Sequence, residues 1–216
     1  MKAHGLNPRI KKSPFFASSL KYGATEFHPY NNMWMPVGYD TPVNEYWRTI
    51  ESATMWDVAV QKCVEISGPD AKEFVSLLTP RDISKVEPGK CRYIMMTHQD
   101  GGILNDPVML CIEKDRYWLS TADSDMYLWS KGVAAFSNYD VKIDTPHVYP
   151  IQVQGPKSPE IAEQQSNLSL RAILMQSGDC CVATGLFPMV EVGCLARGFH
   201  CLARPKKLFV VLLKNP

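Results

Sequence analysis

The sequence predicts an α+β fold: a mainly antiparallel sheet with helices on one face. Three observations lead there. Two apolar, strand-like runs, residues 93–97 and 103–112, flank His98-Gln99-Asp100-Gly101-Gly102, where adjacent glycines permit the positive φ angles of a tight hairpin. Stretches with helical signals begin near Pro42, Asp70 and Ser124. These helices are interspersed among short strands in an order that suits antiparallel pairing.

Taken in order, Thr41 is a candidate N-cap ahead of Pro42, and Val43, Trp47, Ile50 and Ala53 recur at helical spacing. A helix packed by that apolar face is expected. Cys63-Val64-Glu65-Ile66 reads as a short strand, and Ser67-Gly68-Pro69-Asp70 as a turn that opens a helix through Phe74, Leu77 and Leu78. Pro80 stops that helix. After the glycine hairpin come a third strand over 117–121, a helix over about 124–137, and extended stretches at 141–143 and 151–154. Asp123 and Asp125, just ahead of the helix, read as capping or first-turn charges rather than catalytic acids. The apolar run 208–213 has strand character but no obvious partner in the sequence.

Composition narrows the function classes. The 216 residues are 45% apolar and 21% charged with a formal net charge of +1, an ordinary globular balance that argues against a nucleic-acid surface. The acid-poor leader before Glu26 looks like a transit peptide, but Pro8 and Pro14 interrupt the amphipathic helix such a signal needs. No apolar run is long enough for a membrane span, so a cytoplasmic protein is expected. Seven cysteines are an odd number for a disulfide framework. Cys63, Cys91 and Cys111 fall in strand-like stretches and are expected as buried thiols. Cys180, Cys181, Cys194 and Cys201 with His200 contain no Cys-x-x-Cys pair, so no metal site is expected.

The glycine hairpin delivers Asn105 and Asp106 just beyond its turn, and a carboxylate there is either a turn or edge-strand aspartate or a working group. Tyr93 is either core packing or an aromatic wall. His98 and His147 read as solvated loop histidines. Tyr30, Met33, Trp34 and Met35 are either core or an aromatic surface for a methylated cation, which ring quadrupoles attract.

From about residue 13 to 158 the chain resembles the glycine-cleavage T-protein (aminomethyltransferase) family. The resemblance rests on an ordered set: Glu45-Tyr46-Trp47-Arg48, Met55-Trp56-Asp57-Val58, Ser67-Gly68-Pro69-Asp70-Ala71, Pro88-Gly89-Lys90-Cys91-Arg92-Tyr93, Gly101-Gly102-Ile103-Leu104-Asn105-Asp106 and Gln154-Gly155-Pro156-Lys157. Leu78-Thr79-Pro80-Arg81-Asp82, Asn105-Asp106-Pro107, Ala122-Asp123-Ser124-Asp125 and Tyr30-Asn31-Asn32-Met33 look closer to the dimethylsulfoniopropionate demethylase branch.

The resemblance implies one-carbon transfer, methyl or aminomethyl, with tetrahydrofolate as acceptor and a sulfonium or N-methyl donor. It implies Asp106 as the catalytic acid, Tyr93, Asn105, Asp106 and Ser120 around the folate, and Tyr30 and Trp34 on the substrate side. The alternatives are a non-catalytic folate-binding module or an inactive truncated fragment. The expected organisation is an N-terminal arm at 1–12, the folate-binding domain at 13–158, and a divergent or truncated tail at 159–216. The family's second-domain motifs and C-terminal barrel find no counterpart in that tail, and a partner chain could supply them. The small-molecule donor and folate are the expected partners, with neither nucleic acid nor membrane.

Overall fold

The computed structural model describes residues 7–158, 160 and 161 and, beyond them, the backbone of three strands. The chain divides into two compact units, one from residues up to Val60 and from Val148 on, the other Gln61–His147.

The first unit begins with β1 (Lys11–Lys12), α1 (Phe16–Lys21), β2 (Glu26–Tyr30) and β3 (Met33–Gly38), the strands forming a sheet in the order β1-β3-β2. Asn31 and Asn32 join β2 to β3 with φ of 47° and 57°, the left-handed pair that a two-residue hairpin turn of primed type requires. Asn31 is buried and donates to Val60 O at 3.0 Å, so the turn is tied to the chain leaving the unit.

Next come α2 (Pro42–Glu51) and β4 (Thr54–Asp57). Thr41 caps α2 as expected, accepting from the Asn44 N–H at 3.3 Å, and Pro42 takes the first turn. The expected packing face is corrected: Val43, Trp47 and Ile50 are 64%, 51% and 44% exposed, while Glu45 is buried. Glu45 Oε1 accepts from the backbone N–H groups of Tyr39 and Asp40, both at 2.9 Å. The helix is thus anchored by a carboxylate that satisfies the preceding turn, and its apolar row faces outward.

On β4, Asp57 accepts from the Ser13 hydroxyl and, at 3.1 Å, from the Ala59 N–H. Burial raises its pKa to about 6, and these two bonds offset only part of the rise. A folded-state pKa above the unfolded value means that the stabilising contribution is complete below pH 3.8 and is lost as pH rises through about 6. Urea unfolding is therefore expected to show this unit losing up to about 3 kcal/mol across that window, with Asp57→Asn removing the dependence. An unchanged pH profile in the variant would refute the assignment.

The second unit contains β5 (Cys63–Ser67), α3 (Ala71–Leu78), β6 (Cys91–Tyr93), β7 (Met96–Thr97), β8 (Ile103–Asn105), β9 (Val108–Glu113), β10 (Arg116–Ser120), α4 (Met126–Ala135) and β11 (Lys142–Asp144). Five strands form an antiparallel sheet in the order β11-β5-β10-β9-β6, and β7 pairs with β8 as a separate ribbon. The turn from β5 to α3 passes Gly68 at φ +130°, where a Cβ would lie 2.5 Å from Asp140 O, so only glycine fits. Asp125 caps α4, accepting from the Leu128 N–H at 3.0 Å.

Strand alternation sorts the sheet residues. Val64, Ile66, Met109, Cys111, Tyr117, Leu119 and Ile143 point to one side and pack with Phe74, Val75 and Leu78 of α3 and Met126 of α4. The helices therefore cover one face, as the sequence predicts. Cys63, Cys91 and Cys111 are buried free thiols, also as expected.

The chain returns to the first unit with β12 (Val148–Gln154), β13 (Ile173–Ser177), β14 (Cys180–Thr184) and β15 (Leu208–Lys214), in a sheet of order β13-β14-β15-β12-β4. The closing apolar run does find partners: β15 is antiparallel to β12 and parallel to β14. Cys194, Cys201 and His200, and the side chains of Cys180 and Cys181, lie outside the described residues. Among the described residues, no cluster of His, Cys, Asp or Glu suits a metal ion, and no helix is long and apolar enough to cross a membrane.

Candidate active site

The glycine hairpin forms as predicted. Gly101 takes φ +81°, and the His98 N–H donates to Gly102 O at 3.1 Å. His98 is only partly exposed; its ring sits so close over Gly102 that a Cβ there would meet Nε2 at 2.2 Å, and Nδ1 accepts from the Asp100 N–H at 3.2 Å.

The two long strands expected on either side are each broken. The interruption falls at Pro107, which has no N–H. Ile94 donates to Pro107 O at 3.0 Å, but the reciprocal bond cannot form, so the ladder parts into β6·β9 and β7·β8. Asp106 sits at that parting, between β8 and β9, with its side chain exposed.

Register explains which side chains meet. Tyr93 lies opposite Val108, and Asp106 is two residues before Val108, so Tyr93 and Asp106 are diagonal neighbours on one face, within reach of an aromatic side chain. The Tyr93 hydroxyl donates to Asp106 Oδ2 at 2.6 Å. This is a short bond to a charged acceptor, and it holds the phenol proton: the Tyr93 pKa is raised, first by this bond, then by desolvation and by the charge of Asp106. Tyr93 remains 53% exposed. Val108 also lies opposite Ser120, which lies opposite Cys63, so Tyr93, Ser120 and Cys63 share the face away from the helices. Ser120 is two strands from Tyr93, about 10 Å across the sheet, and is 9% exposed. Its hydroxyl bonds the Cys63 thiol, whose pKa burial pushes up to about 12 despite that bond.

Asn105 points the other way. It is buried, with Nδ2 donating to Ala122 O at 3.2 Å and to Ser124 Oγ at 2.6 Å, and Oδ1 accepting from the Ala122 N–H at 2.9 Å. Its amide braces the loop that leads into α4. This places it behind Asp106, with its amide bonded to the loop at Ala122 and Ser124.

Tyr30 and Trp34 belong to the first unit, and alternation along the β2–β3 hairpin puts them on opposite faces. Tyr30 packs with Met33, Met35, Ala59 and Val60, whereas Trp34 packs with Phe16, Ala24 and Phe27. The indole Nε1 of Trp34 is buried without a hydrogen-bond partner among the described residues. The two rings thus belong to different clusters on opposite faces of the hairpin.

Sequence reasoning gave no role to Arg81. Its Nη1 donates to Tyr93 O at 2.7 Å, and the signal for it lay within Thr79-Pro80-Arg81-Asp82, where proline ends α3 and sends the chain toward β6.

The fold is an α+β domain whose antiparallel sheet has helices on one face and, at its β6 edge, an exposed carboxylate held by a tyrosine. The chain belongs to the glycine-cleavage T-protein family: the GCVT N-terminal domain matches residues 16–183, reaching past Ser158. Dimethylsulfoniopropionate demethylase DmdA of Ruegeria pomeroyi is 34% identical over 165 residues, 76% of this chain and 45% of that protein. An aminomethyltransferase of Symbiobacterium thermophilum is 26% identical over 73% of this chain and 44% of its own length. Among solved structures, the glycine cleavage system aminomethyltransferase T from Bartonella henselae superposes with a TM-score of 0.63 at 22% identity, over 73% of this chain and 44% of that one, which supports the fold. The chain thus spans less than half the length of the curated relatives it matches.

Proposed function

We propose that the Tyr93–Asp106 face accepts tetrahydrofolate and serves transfer of a methyl or related one-carbon group to it, with a sulfonium or N-methyl compound as donor. The observation that carries this is the 2.6 Å bond between the exposed side chains of Tyr93 and Asp106 at the sheet edge, in a chain of a family whose named members include a demethylase and aminomethyltransferases.

Tyr93 fixes one carboxylate oxygen, which leaves the other to accept an N–H from the ligand. As that nitrogen attacks the incoming carbon it gains positive charge, and a carboxylate beside it stabilises the charge and can take the departing proton. For a sulfonium donor the nitrogen attacks the methyl carbon, the carbon–sulfur bond breaks, and the neutral sulfide leaves. Alignment then contributes more than acid–base work. The open Tyr93 ring offers a flat surface to a heterocycle.

The test is titration of the chain with tetrahydrofolate under anaerobic, reducing conditions beside Asp106→Asn. Saturable binding weakened about tenfold or more by the substitution is expected, the scale of a lost charge-assisted hydrogen bond. No binding by the folded, monodisperse chain would overturn the proposal. A second reading, a folate-binding module without transfer, is favoured by the placement of Tyr30 and Trp34 on opposite faces of their hairpin. Methyl-group transfer to tetrahydrofolate by the purified chain distinguishes the two.

A further inference from the structure

We propose that Arg81 forms a carboxylate-binding subsite at the end of Tyr93 opposite Asp106, so that the face recognises a ligand bearing a nitrogen or cationic centre at one end and a carboxylate at the other. This rests on the reading of the Tyr93–Asp106 face as a ligand site and adds the second anchor of that ligand.

The placement of Arg81 follows from the sheet edge. Strand β6 is an outer strand, bonded only to β9. Because Ile94 bonds across to Pro107, Tyr93 opposite Val108 occupies a non-hydrogen-bonded position, and its own C=O points away from β9. Arg81 fills that outward position, with Nη1 2.7 Å from Tyr93 O. Its backbone is fixed as well: the Arg81 N–H donates at 3.2 Å to Oγ1 of Thr79, which is buried at the end of α3.

The guanidinium is therefore held at the main-chain end of Tyr93 while Asp106 is held at the hydroxyl end, and the exposed ring lies between them. One donor of the fork goes to the carbonyl. Arg81 is exposed and no acidic side chain among the described residues pairs with it, so further N–H groups face solvent. A neutral amide would satisfy a lone carbonyl equally well. A planar cation that presents paired donors suits a carboxylate, which it can take in two parallel bonds. Anion and cation separated by one tyrosine side chain match a ligand of opposite polarity laid along the ring. Two sources carry such a carboxylate: the glutamate tail of a folate, or an acidic sulfonium or N-methyl donor.

The experiment titrates the full chain, Arg81→Gln and Arg81→Lys with five probes under anaerobic conditions. They are tetrahydrofolate, 6-methyltetrahydropterin without a carboxylate, 4-aminobenzoylglutamate without the pterin, dimethylsulfoniopropionate, and trimethylsulfonium without a carboxylate. Glutamine keeps an N–H donor for Tyr93 O and loses the charged fork. For a folate source, Arg81→Gln weakens tetrahydrofolate and 4-aminobenzoylglutamate about tenfold or more and leaves 6-methyltetrahydropterin within about twofold, with lysine intermediate. For a donor source, the same contrast separates dimethylsulfoniopropionate from trimethylsulfonium. Equal weakening of probes with and without a carboxylate would assign Arg81 a purely structural role through Tyr93 and overturn the subsite. So would a lack of Arg81-dependent binding by every carboxylate probe. Failure of the folate reading shows separately, as loss of both tetrahydrofolate and 6-methyltetrahydropterin binding in the unsubstituted chain.

Discussion

Phe74→Ala is expected to lower the stability of the Gln61–His147 unit by about 3–5 kcal/mol, the range for deleting a fully buried phenylalanine ring. Phe74 is 0% exposed and packs from α3 into the cluster that includes Val64, Ile66, Met109 and Leu119. Its ring also meets Tyr139 edge-on, with centroids 5.9 Å apart, a contact that adds to the burial. Against a typical domain stability of about 5–15 kcal/mol, one substitution would remove a large fraction. Urea denaturation should show a lower midpoint with little change in slope. A loss below about 1 kcal/mol would mean that α3 does not seat on the sheet as described. Helix α3 also leads into Arg81, so tetrahydrofolate binding should weaken in the variant at temperatures where the unit remains folded.

Asn105→Ala is the second large effect, expected at about 2–3 kcal/mol, because it removes three hydrogen bonds and leaves the Ala122 backbone groups to be satisfied otherwise. The strand end that presents Asp106 loosens with them, so folate affinity should fall together with the thermal midpoint. Asp106→Asn makes the opposite pattern: an exposed side chain changes stability by less than about 0.5 kcal/mol while affinity drops. If Asn105→Ala left the thermal midpoint unmoved and lost affinity alone, Asn105 would be a direct ligand contact, as the family resemblance implies.

The sequence announces elements whose signals are local. Thr41-Pro42 starts a helix, Pro80 ends one, and Gly101-Gly102 turns a hairpin, each through backbone chemistry that needs no distant partner. The outward face of α2 was hidden because Val43, Trp47 and Ile50 have the right period for packing, and period says nothing about what occupies the inner side. That side went to Glu45, whose value depends on two N–H groups of the preceding turn. Asn31-Asn32 was a legible turn signal, since asparagine tolerates left-handed backbone, and it would have located β2 and β3.

In the candidate site, the position of Asp106 just beyond the hairpin was legible in the sequence. Its bond to Tyr93 depends on a cross-strand register that Pro107 sets. Adjacent residues on a strand face opposite ways, which is why Asn105 and Asp106, a pair in sequence, end with different duties. The contact from Arg81 runs from a helix exit to a strand carbonyl, and no spacing rule connects them.

The buried thiols of β5, β6 and β9 give the sheet its own reporters. A thiol buried out of solvent reacts with an alkylating reagent only when its strand opens, so the modification rates of Cys63, Cys91 and Cys111 measure opening. Cys91 lies on the outer strand that carries Tyr93, while Cys63 lies between two bonded neighbours. Peptide mapping of the order in which these sites are labelled would therefore show whether the edge that carries Tyr93 detaches before the interior of the sheet, and tetrahydrofolate, if it binds as proposed, should slow Cys91 ahead of Cys63.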